Sequence, residues 1–285
     1  MTIRLGGMIF GLAITAVLVL WSLIPGVYNY IAGPAPEKQA SYAFYEKPVA
    51  PAGGFAFDGA FGKWDVAQLQ RGYQVYKEVC SACHSLKYVA FRNLRELGYT
   101  EAEAQAEAAS WTVPGIDPNT GETTTRPGTP TDRFPSPYPN AIAAAAANNN
   151  AIPPDLSLMA KARPDGTNYI YSLMIGYTEP NAEKAAKLGF ETPTGLYFNK
   201  HFPNVNIAMP SPLVLDGQVT YADGTEATIP QMSADVAAFL TWTAEPSLVA
   251  RKQTGWFVLA FLVFATSLAF LSYKQIWAGL KPKKK

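Results

Sequence analysis

Two long apolar runs near the ends of this 285-residue chain constrain its fold more than any other feature. The first, residues 5–24, lies in a stretch that has no charged residue before Glu37, and the second, residues 253–273, is bounded by Lys252 and Lys274. About twenty helical residues, at about 1.5 Å each, match the roughly 30 Å hydrocarbon core of a bilayer. Each run is therefore predicted to form a transmembrane helix.

The first run also fits a cleaved signal peptide, which is the alternative interpretation of residues 1–36. Its apolar core is longer than the roughly 7–15 residues usual for such a signal, and Pro34 and Pro36 crowd the region where cleavage would occur. These features favour a retained N-terminal helix.

The basic residues around the second run predict its orientation. Five lysines follow the run (Lys274, Lys281, Lys283, Lys284 and Lys285), whereas only Arg251 and Lys252 precede it closely. The positive-inside rule then places residues 275–285 in the cytoplasm as a basic tail and residues 251–274 in the membrane as the anchor. The intervening residues are expected on the other side of a bacterial inner membrane, in the periplasm.

The chain between the two runs reads as a mainly α domain with long loops. Residues 37–62 are predicted to be an extended tether and residues 63–250 the periplasmic domain. Helical periodicity is found in four segments (Gln68–Val79, Tyr99–Ser110, Asp165–Tyr177 and Met232–Thr243). A β-hairpin is predicted over Val219–Ile229 and an irregular loop over the proline-rich residues 112–140.

Composition excludes several classes of protein. The chain is 48% hydrophobic, which rules out intrinsic disorder, and two cysteines rule out a disulfide scaffold. Residues 37–250 contain all 22 acidic residues but only 15 of the 23 lysines and arginines, a formal charge of −7. That balance speaks against nucleic acid and favours a basic partner or simply solubility.

Residues 80–84, with the sequence CSACH, carry the chemistry. This C-x-x-C-H pattern is the signature of covalent c-type haem attachment, in which Cys80 and Cys83 form thioethers and His84 is the proximal iron ligand. A thioredoxin-like dithiol would need a βαβ context that is absent from the sequence. A zinc site would need a further ligand, for which only His201 remains.

The distal iron ligand has several candidates, namely His201, Met159, Met174, Met209 and Met232. Most methionines of a small domain fill the core. Met209 is favoured because its segment is irregular and flanked by prolines, which can hold a backbone close to a haem face. Ligation by His84 and Met209 would suit an electron carrier and leave no open site for oxygen chemistry.

Four blocks of sequence together resemble the cytochrome c1 family, the haem subunits of the ubiquinol–cytochrome c oxidoreductase (the bc1 complex), in its bacterial type. These are LQRGYQVYKEVCSACHSLKYVAFRNL, NNNAIPPDLSLMAKAR, GLYFNKHFPNVNIAMPSPL and DVAAFLTWTAEPSLVARKQTG, in the family's order. The resemblance extends over most of residues 55–285, and no family role carries over to residues 1–54.

The resemblance implies a cytochrome c-like domain with one covalent haem c, ligated by His84 and Met209. By position it also implies that Arg163 and Tyr169 contact the haem propionates and that Asn148, Pro154 and Phe202 line the haem pocket. His201 falls on no ligand position and is expected at the surface or the pocket edge.

The function implied by the resemblance is one-electron transfer from a Rieske iron–sulfur protein to a soluble cytochrome c, beside cytochrome b in a dimeric membrane complex. The chain would not be an enzyme on its own. The alternatives are an independent membrane-bound cytochrome c that serves an oxidase or dehydrogenase, and a haem enzyme or gas sensor with an open coordination site.

Overall fold

The computed structural model describes residues 2–32 and 40–279. The ends of three predicted segments lie outside the described residues: 33–36 of the first segment, 37–39 of the tether and 280–285 of the basic tail. The described chain is about half helical and contains little sheet, which confirms the predicted fold class.

Nine α-helices, three 3₁₀ segments and four short strands make up the described chain. The α-helices are α1 (Thr2–Ala32), α2 (Val66–Glu78), α3 (Glu101–Ala109), α4 (Ala141–Ala147), α5 (Met159–Ala162), α6 (Gly166–Ile175), α7 (Ala182–Leu188), α8 (Ile229–Ala244) and α9 (Leu248–Trp277). The 3₁₀ segments are Ala40–Ala43, Cys80–Ala82 and Phe91–Leu97. The strands pair in two antiparallel ribbons, β1 (Thr112–Ile116) with β2 (Thr123–Pro127) and β3 (Tyr197–Phe198) with β4 (Asn206–Ile207).

The first and last helices are long and apolar enough to cross a membrane. The most apolar 18 consecutive residues of α1, within Gly6–Ala32, have a mean hydropathy of 2.3, and the helix continues through Pro25. The most apolar 18 consecutive residues of α9 have a mean hydropathy of 2.0. At about 1.5 Å per residue, either helix exceeds the roughly 30 Å of a hydrocarbon core.

The four helices predicted from periodicity are present, and their first residues explain where they begin. The side chain of Asp65 accepts a hydrogen bond from the backbone N–H of Gln68 and caps α2. Thr100 and Glu103 form the reciprocal capping box of α3 that satisfies two otherwise free N–H groups. Thr228 caps α8, so this helix begins three residues before the predicted Met232.

The hairpin predicted over residues 219–229 is wrong. Val219 and Tyr221 are buried in the main core, and Asp223 lies 2.7 Å from the guanidinium of Arg71 on α2. These residues contact α2 instead of pairing with each other, and α8 already begins at Ile229.

The irregular loop predicted over residues 112–140 contains the β1–β2 ribbon. The five residue pairs of the ribbon are closed by a turn in which Gly121 donates a hydrogen bond to the carbonyl of Asp117, at 2.8 Å. Gly121 has a φ of +72°, a conformation that glycine adopts without steric cost. The Asp-Pro-Asn-Thr-Gly sequence was therefore a turn signal inside a segment that its prolines marked as a loop.

The main core forms where α2 packs against α8. Gly72 of α2 faces the carbonyl of Asp235 so closely that an added methyl group would overlap the carbonyl oxygen and lie 2.7 Å from Cβ of Phe239. The rings of Tyr73 and Tyr76 contact Phe239 with centroid distances of 5.6 and 5.8 Å. The absence of a side chain at position 72 thus sets the distance between the two helices.

Helix α3 is joined to α2 through the half-buried carboxylate of Glu107. It accepts hydrogen bonds from the hydroxyl of Tyr73 at 2.5 Å and from the indole of Trp111 at 2.9 Å, and pairs with Lys77 at 2.7 Å. Burial raises the pKa of Glu107, but the bonds from Lys77, Tyr73 and Trp111 outweigh it, so that this pKa lies below its usual value.

The segment predicted as a tether packs against the domain within its described part, residues 40–62. Phe55 and Phe57 are buried in the main core, whereas Phe44 forms a smaller cluster with Phe198 and Val205. The boundary at residue 62 stays a prediction.

We expect Gly72→Ala to lower the free energy of unfolding by about 3 kcal/mol or more, because the new methyl group would force α2 away from α8. Chemical denaturation of the detergent-solubilised protein measures this loss. Ala67→Ser, on an exposed position of the same helix, is the control and should cost less than about 0.5 kcal/mol. Equal stability of the two variants would show that the close contact does not limit packing.

Candidate functional site

The C-x-x-C-H segment continues directly from the C-terminal end of α2. The 3₁₀ turn begins at Cys80, whose carbonyl accepts hydrogen bonds from the N–H groups of Cys83 (3.2 Å) and His84 (2.9 Å). The hydroxyl of Ser81 donates to the carbonyl of Lys77 at 2.7 Å, which holds the turn onto the helix. One helical turn thus carries both thiols and the imidazole.

The two thiols are free and half-buried. Burial raises the pKa of the Cys80 thiol to about 12, and the neighbouring Cys83 adds to that rise. A redox-active dithiol works through a thiolate whose pKa is lowered, which is the reverse of this environment. The thiols therefore suit covalent attachment of a group better than disulfide exchange.

The imidazole of His84 is held by one backbone carbonyl. Its Nδ1 lies 2.8 Å from the carbonyl oxygen of Pro154. Because a carbonyl can only accept, Nδ1 carries the proton and Nε2 keeps its lone pair, as is usual for a histidine that ligates a metal. Burial lowers the pKa of His84, which favours the neutral ring that a metal requires. This donor set fits the iron of a c-type haem.

Asp155 holds the carbonyl of Pro154 in place, a role that sequence reasoning missed. Its carboxylate accepts hydrogen bonds from the hydroxyl of Ser85 (2.8 Å) and the N–H of Lys87 (2.9 Å), both just after His84. It also accepts a hydrogen bond from the N–H of Ser157 at 3.1 Å, within its own segment. The bonds to Ser85 and Lys87 tie this segment to the residues that directly follow His84. An aspartate within a Pro-Pro-Asp-Leu-Ser block was the available signal, since such residues bond to nearby backbone N–H groups.

A second group of predicted residues gathers around α6. The guanidinium of Arg163, which lies between α5 and α6, is beside the hydroxyl of Tyr169. Burial raises the pKa of Tyr169, and the neighbouring Arg163 partly offsets this rise. Tyr177, just beyond α6, neighbours Tyr169, and its hydroxyl donates to the carbonyl of Met209 at 3.0 Å. The structure thus brings Arg163, Tyr169 and Met209 together through Tyr177, which sequence reasoning did not single out.

The other two predicted pocket residues make local hydrogen bonds. The side chain of Asn148 donates to the carbonyl of Ala144 at 2.7 Å, within α4. The N–H of Phe202 donates to the carbonyl of Asn199 at 3.1 Å, and its ring is half-buried. Their placement in a haem pocket stays a prediction.

The remaining candidates for the distal ligand are buried or pack against the core, and the choice of Met209 stays a prediction. Met232 is fully buried within α8, and Met159 and Met174 pack against the main core. His201 is only 2% exposed, so the expectation that it lies at the surface is wrong, and a place at the pocket edge stays a prediction. The Nδ1 of His201 lies 3.0 Å from the carbonyl oxygen of Glu46, and the chain around Glu46 covers the imidazole ring.

Comparisons with known proteins all match this chain to cytochrome c1 sequences. The sequence model of the Cytochrome C1 family matches residues 55–280, a range that includes every predicted site residue. Cytochrome c1 of Rhodospirillum rubrum is 48% identical over 239 residues, covering 80% of this chain and 87% of that protein. Cytochrome b/c1 of Bradyrhizobium diazoefficiens is 46% identical over 249 residues, covering 82% of this chain and 36% of that protein. The mitochondrial heme protein cytochrome c1-2 of Solanum tuberosum is 44% identical over 232 residues, covering 79% and 84%.

We expect Asp155→Ala to destabilise the protein by about 3 kcal/mol, because it removes a charged acceptor shared by three donors. Asp155→Asn, which keeps an acceptor oxygen, should lose about half as much. Chemical denaturation measures both variants, with Glu122→Ala on the exposed β1–β2 ribbon as the control. A loss no larger than that of Glu122→Ala would mean that Asp155 does not hold the Pro154 carbonyl.

Proposed function

The chain belongs to the cytochrome c1 family, the haem subunits of the bc1 complex, and we propose that it passes single electrons from a Rieske iron–sulfur protein to a soluble cytochrome c. The observation that carries the proposal is the helical turn at residues 80–84, in which two free thiols are followed by an imidazole whose Nδ1 is fixed by Pro154. The chain is then an electron-transfer subunit of ubiquinol–cytochrome c oxidoreductase and not an enzyme by itself.

Cys80 and Cys83 would hold one haem c through thioether bonds, and His84 Nε2 and the sulfur of Met209 would ligate its iron. A c-type haem, when bound, supplies an iron that alternates between ferric and ferrous states and so takes up and releases one electron. If both ligate the iron, His84 and Met209 would leave it no open site for oxygen or peroxide. Neither side chain needs to exchange a proton during this reaction.

The other pocket residues would orient the cofactor. Arg163 and Tyr169 offer a guanidinium and a hydroxyl side by side, which are suitable donors for propionate carboxylates. Asn148, Pro154 and Phe202 are assigned to the pocket wall by their positions in the family's sequence pattern. Pro154 has a further role in this proposal, because its carbonyl fixes the tautomer of His84.

The membrane arrangement is proposed from the two apolar helices and the distribution of charge. Residues 1–36 and 251–274 would span the inner membrane, residues 63–250 would lie in the periplasm after the segment 37–62, and residues 275–285 would remain in the cytoplasm. Cytochrome b is the proposed neighbour in the membrane, supported by the relative named cytochrome b/c1. The complex is proposed to be dimeric.

The ligation is tested by Met209→Leu in the full-length, detergent-solubilised protein. We expect the wild type to show covalent c-type haem, a far-red sulfur-to-iron absorption band in the ferric form and no carbon monoxide binding. Because leucine cannot ligate iron, the variant should lose this band, bind carbon monoxide stoichiometrically and have a lower reduction potential. Met174→Leu, on the core-facing side of α6, is the matched control and should behave as the wild type.

An unchanged spectrum in Met209→Leu would assign the distal ligand to another residue. Rapid carbon monoxide binding by the wild type would favour a haem enzyme or sensor. Purification without a b-type subunit and an iron–sulfur protein would favour an independent membrane-bound cytochrome.

Transfer to the acceptor should depend strongly on salt. The domain between the membrane helices has a formal charge of −7, which would attract a basic cytochrome c over a Debye length of about 30 Å at 0.01 M salt but only about 8 Å at 0.15 M. We expect the second-order rate of acceptor reduction to fall about tenfold between these conditions. A rate that does not change with ionic strength would contradict electrostatic docking.

A further inference from the structure

The hydroxyl of Tyr177 contacts the backbone of the residue proposed as the distal ligand. It donates a hydrogen bond to the carbonyl of Met209 at 3.0 Å, across 32 residues of sequence. Met209 lies in an irregular segment, two residues beyond the two-residue strand β4. A two-pair ribbon constrains such a segment weakly, so this additional bond fixes the part of the chain that the ribbon does not reach.

Tyr177 is itself held by a buried polar cluster. It forms an isolated antiparallel bridge with Asn199, whose side chain is fully buried. The amide of Asn199 donates to the carbonyl of Leu173 at 2.8 Å, and its oxygen accepts from the N–H of His201 at 3.0 Å. The end of α6 and the residues after β3 are thereby joined beneath Tyr177.

Gly176 allows this cluster to close. A methyl group at this position would overlap the side-chain oxygen of Asn199 and lie 2.9 Å from Cδ2 of His201. The N–H of Lys200 donates to the carbonyl of Gly176 at 3.2 Å, which completes the bridge next to Tyr177.

Residues 46–49 cover this cluster from the outside. His201 Nδ1 lies 3.0 Å from the carbonyl of Glu46, and the hydroxyl of Ser172 on α6 bonds to both the carbonyl (3.0 Å) and the N–H (2.7 Å) of Val49. These contacts explain why His201 is buried although it was not assigned a ligand role. The contacts around Tyr177 restrict its movement, so Tyr177 would stay in place if the segment of Met209 moved away.

The turn that leads to Met209 is strained. Val205 has a φ of +57°, which is unfavourable for a β-branched residue, and its side chain is completely buried beside Phe44 and Phe198. Such a conformation persists only where the surroundings impose it. The segment therefore depends on contacts at both of its ends, with Val205 on one side and the Tyr177 bond on the other.

We propose that Tyr177 is a positioning residue for Met209, and that its hydrogen bond to the Met209 carbonyl keeps the methionine sulfur on the haem iron. The proposal rests on the proposed ligation by Met209. A thioether is too weak an acceptor to be oriented by hydrogen bonds of its own, so its direction has to be fixed through the backbone. The bond from Tyr177 acts at the carbonyl of the ligating residue itself.

Tyr177→Phe tests this role in the full-length ferric holoprotein, with added imidazole as a competitor for the sixth position. Imidazole binds only when Met209 has left the iron, so its apparent affinity reports how often the loop opens. Loss of one neutral hydrogen bond should increase that population, and lower the apparent Kd for imidazole, by about three- to tenfold. The far-red sulfur-to-iron band should also disappear at a lower temperature than in the wild type.

Tyr171→Phe is the matched control. Tyr171 is a buried tyrosine of α6, the helix that ends just before Tyr177, and within the described residues its hydroxyl makes no hydrogen bond. The control should therefore bind imidazole as the wild type does. Equal imidazole affinity of the two phenylalanine variants would overturn the positioning role.

The Met209→Leu background separates positioning from general loosening of the fold. With no methionine to displace, Tyr177→Phe should leave the imidazole affinity of Met209→Leu unchanged. An equal shift in both backgrounds would overturn the inference, because it would indicate an effect on the pocket as a whole. If Met209→Leu itself binds imidazole no better than the wild type, the ligation by Met209 fails first and the inference fails with it.

Discussion

The contact between α2 and α8 is the constraint on which the rest of the structure depends. The backbones approach so closely at Gly72 and Asp235 that α2 can neither slide nor rotate without a clash. Beside this contact the fully buried carboxylate of Asp235 lies 3.0 Å from Arg71; burial raises the pKa of Asp235, and the guanidinium opposes that rise. A buried ion pair adds little net stability, but it penalises every other register of the two helices. Since Cys80 follows the end of α2 by two residues, fixing α2 fixes the direction in which residues 80–84 present their side chains.

A backbone carbonyl holds each of the two proposed iron ligands. For His84 the carbonyl belongs to another segment, and for Met209 it belongs to the ligand residue itself. His84 is a donor, so a carbonyl of another segment, that of Pro154, can orient its ring directly. The side chain of Met209 has no hydrogen-bond donor, and the backbone carbonyl of Met209 instead accepts a hydrogen bond from the hydroxyl of Tyr177. Each arrangement depends on a residue that touches neither ligand side chain: Asp155 ties down the loop of Pro154, and Asn199 ties down Tyr177. Irregular loops can therefore supply rigid ligands when their backbone is bonded from outside.

Features of the fold that depend on residues close in sequence could be predicted, whereas features that depend on residues far apart in sequence could not. The four periodic helices were predictable because burying one helical face imposes a local repeat, and the cap at Thr100 could be identified from residues three apart. The hairpin expected near residue 221 failed because contacts with α2, some 150 residues away, outweighed a local turn signal. His201 was misplaced for the same reason, since its partner Glu46 is 155 residues distant. Tyr177 escaped notice because its role is a hydrogen bond to a backbone carbonyl, which leaves no pattern of residue types, whereas the Pro-Pro-Asp-Leu-Ser block did offer a signal for Asp155.

The junction between α8 and α9 is short and is held by contacts with the residues that precede α2. Three residues separate α8 from α9, and the ammonium group of Lys252 donates to the carbonyls of Phe57 and Gly59, both at 2.7 Å. The ring of Phe61 stacks on Trp256 of α9, with centroids 5.2 Å apart. The last apolar helix is thus joined to the domain without a flexible linker. If α9 is anchored in the membrane as proposed, these contacts would hold the domain at a fixed height above the bilayer, and the direction of residues 80–84, which the packing of α2 on α8 determines, would be fixed relative to the membrane as well.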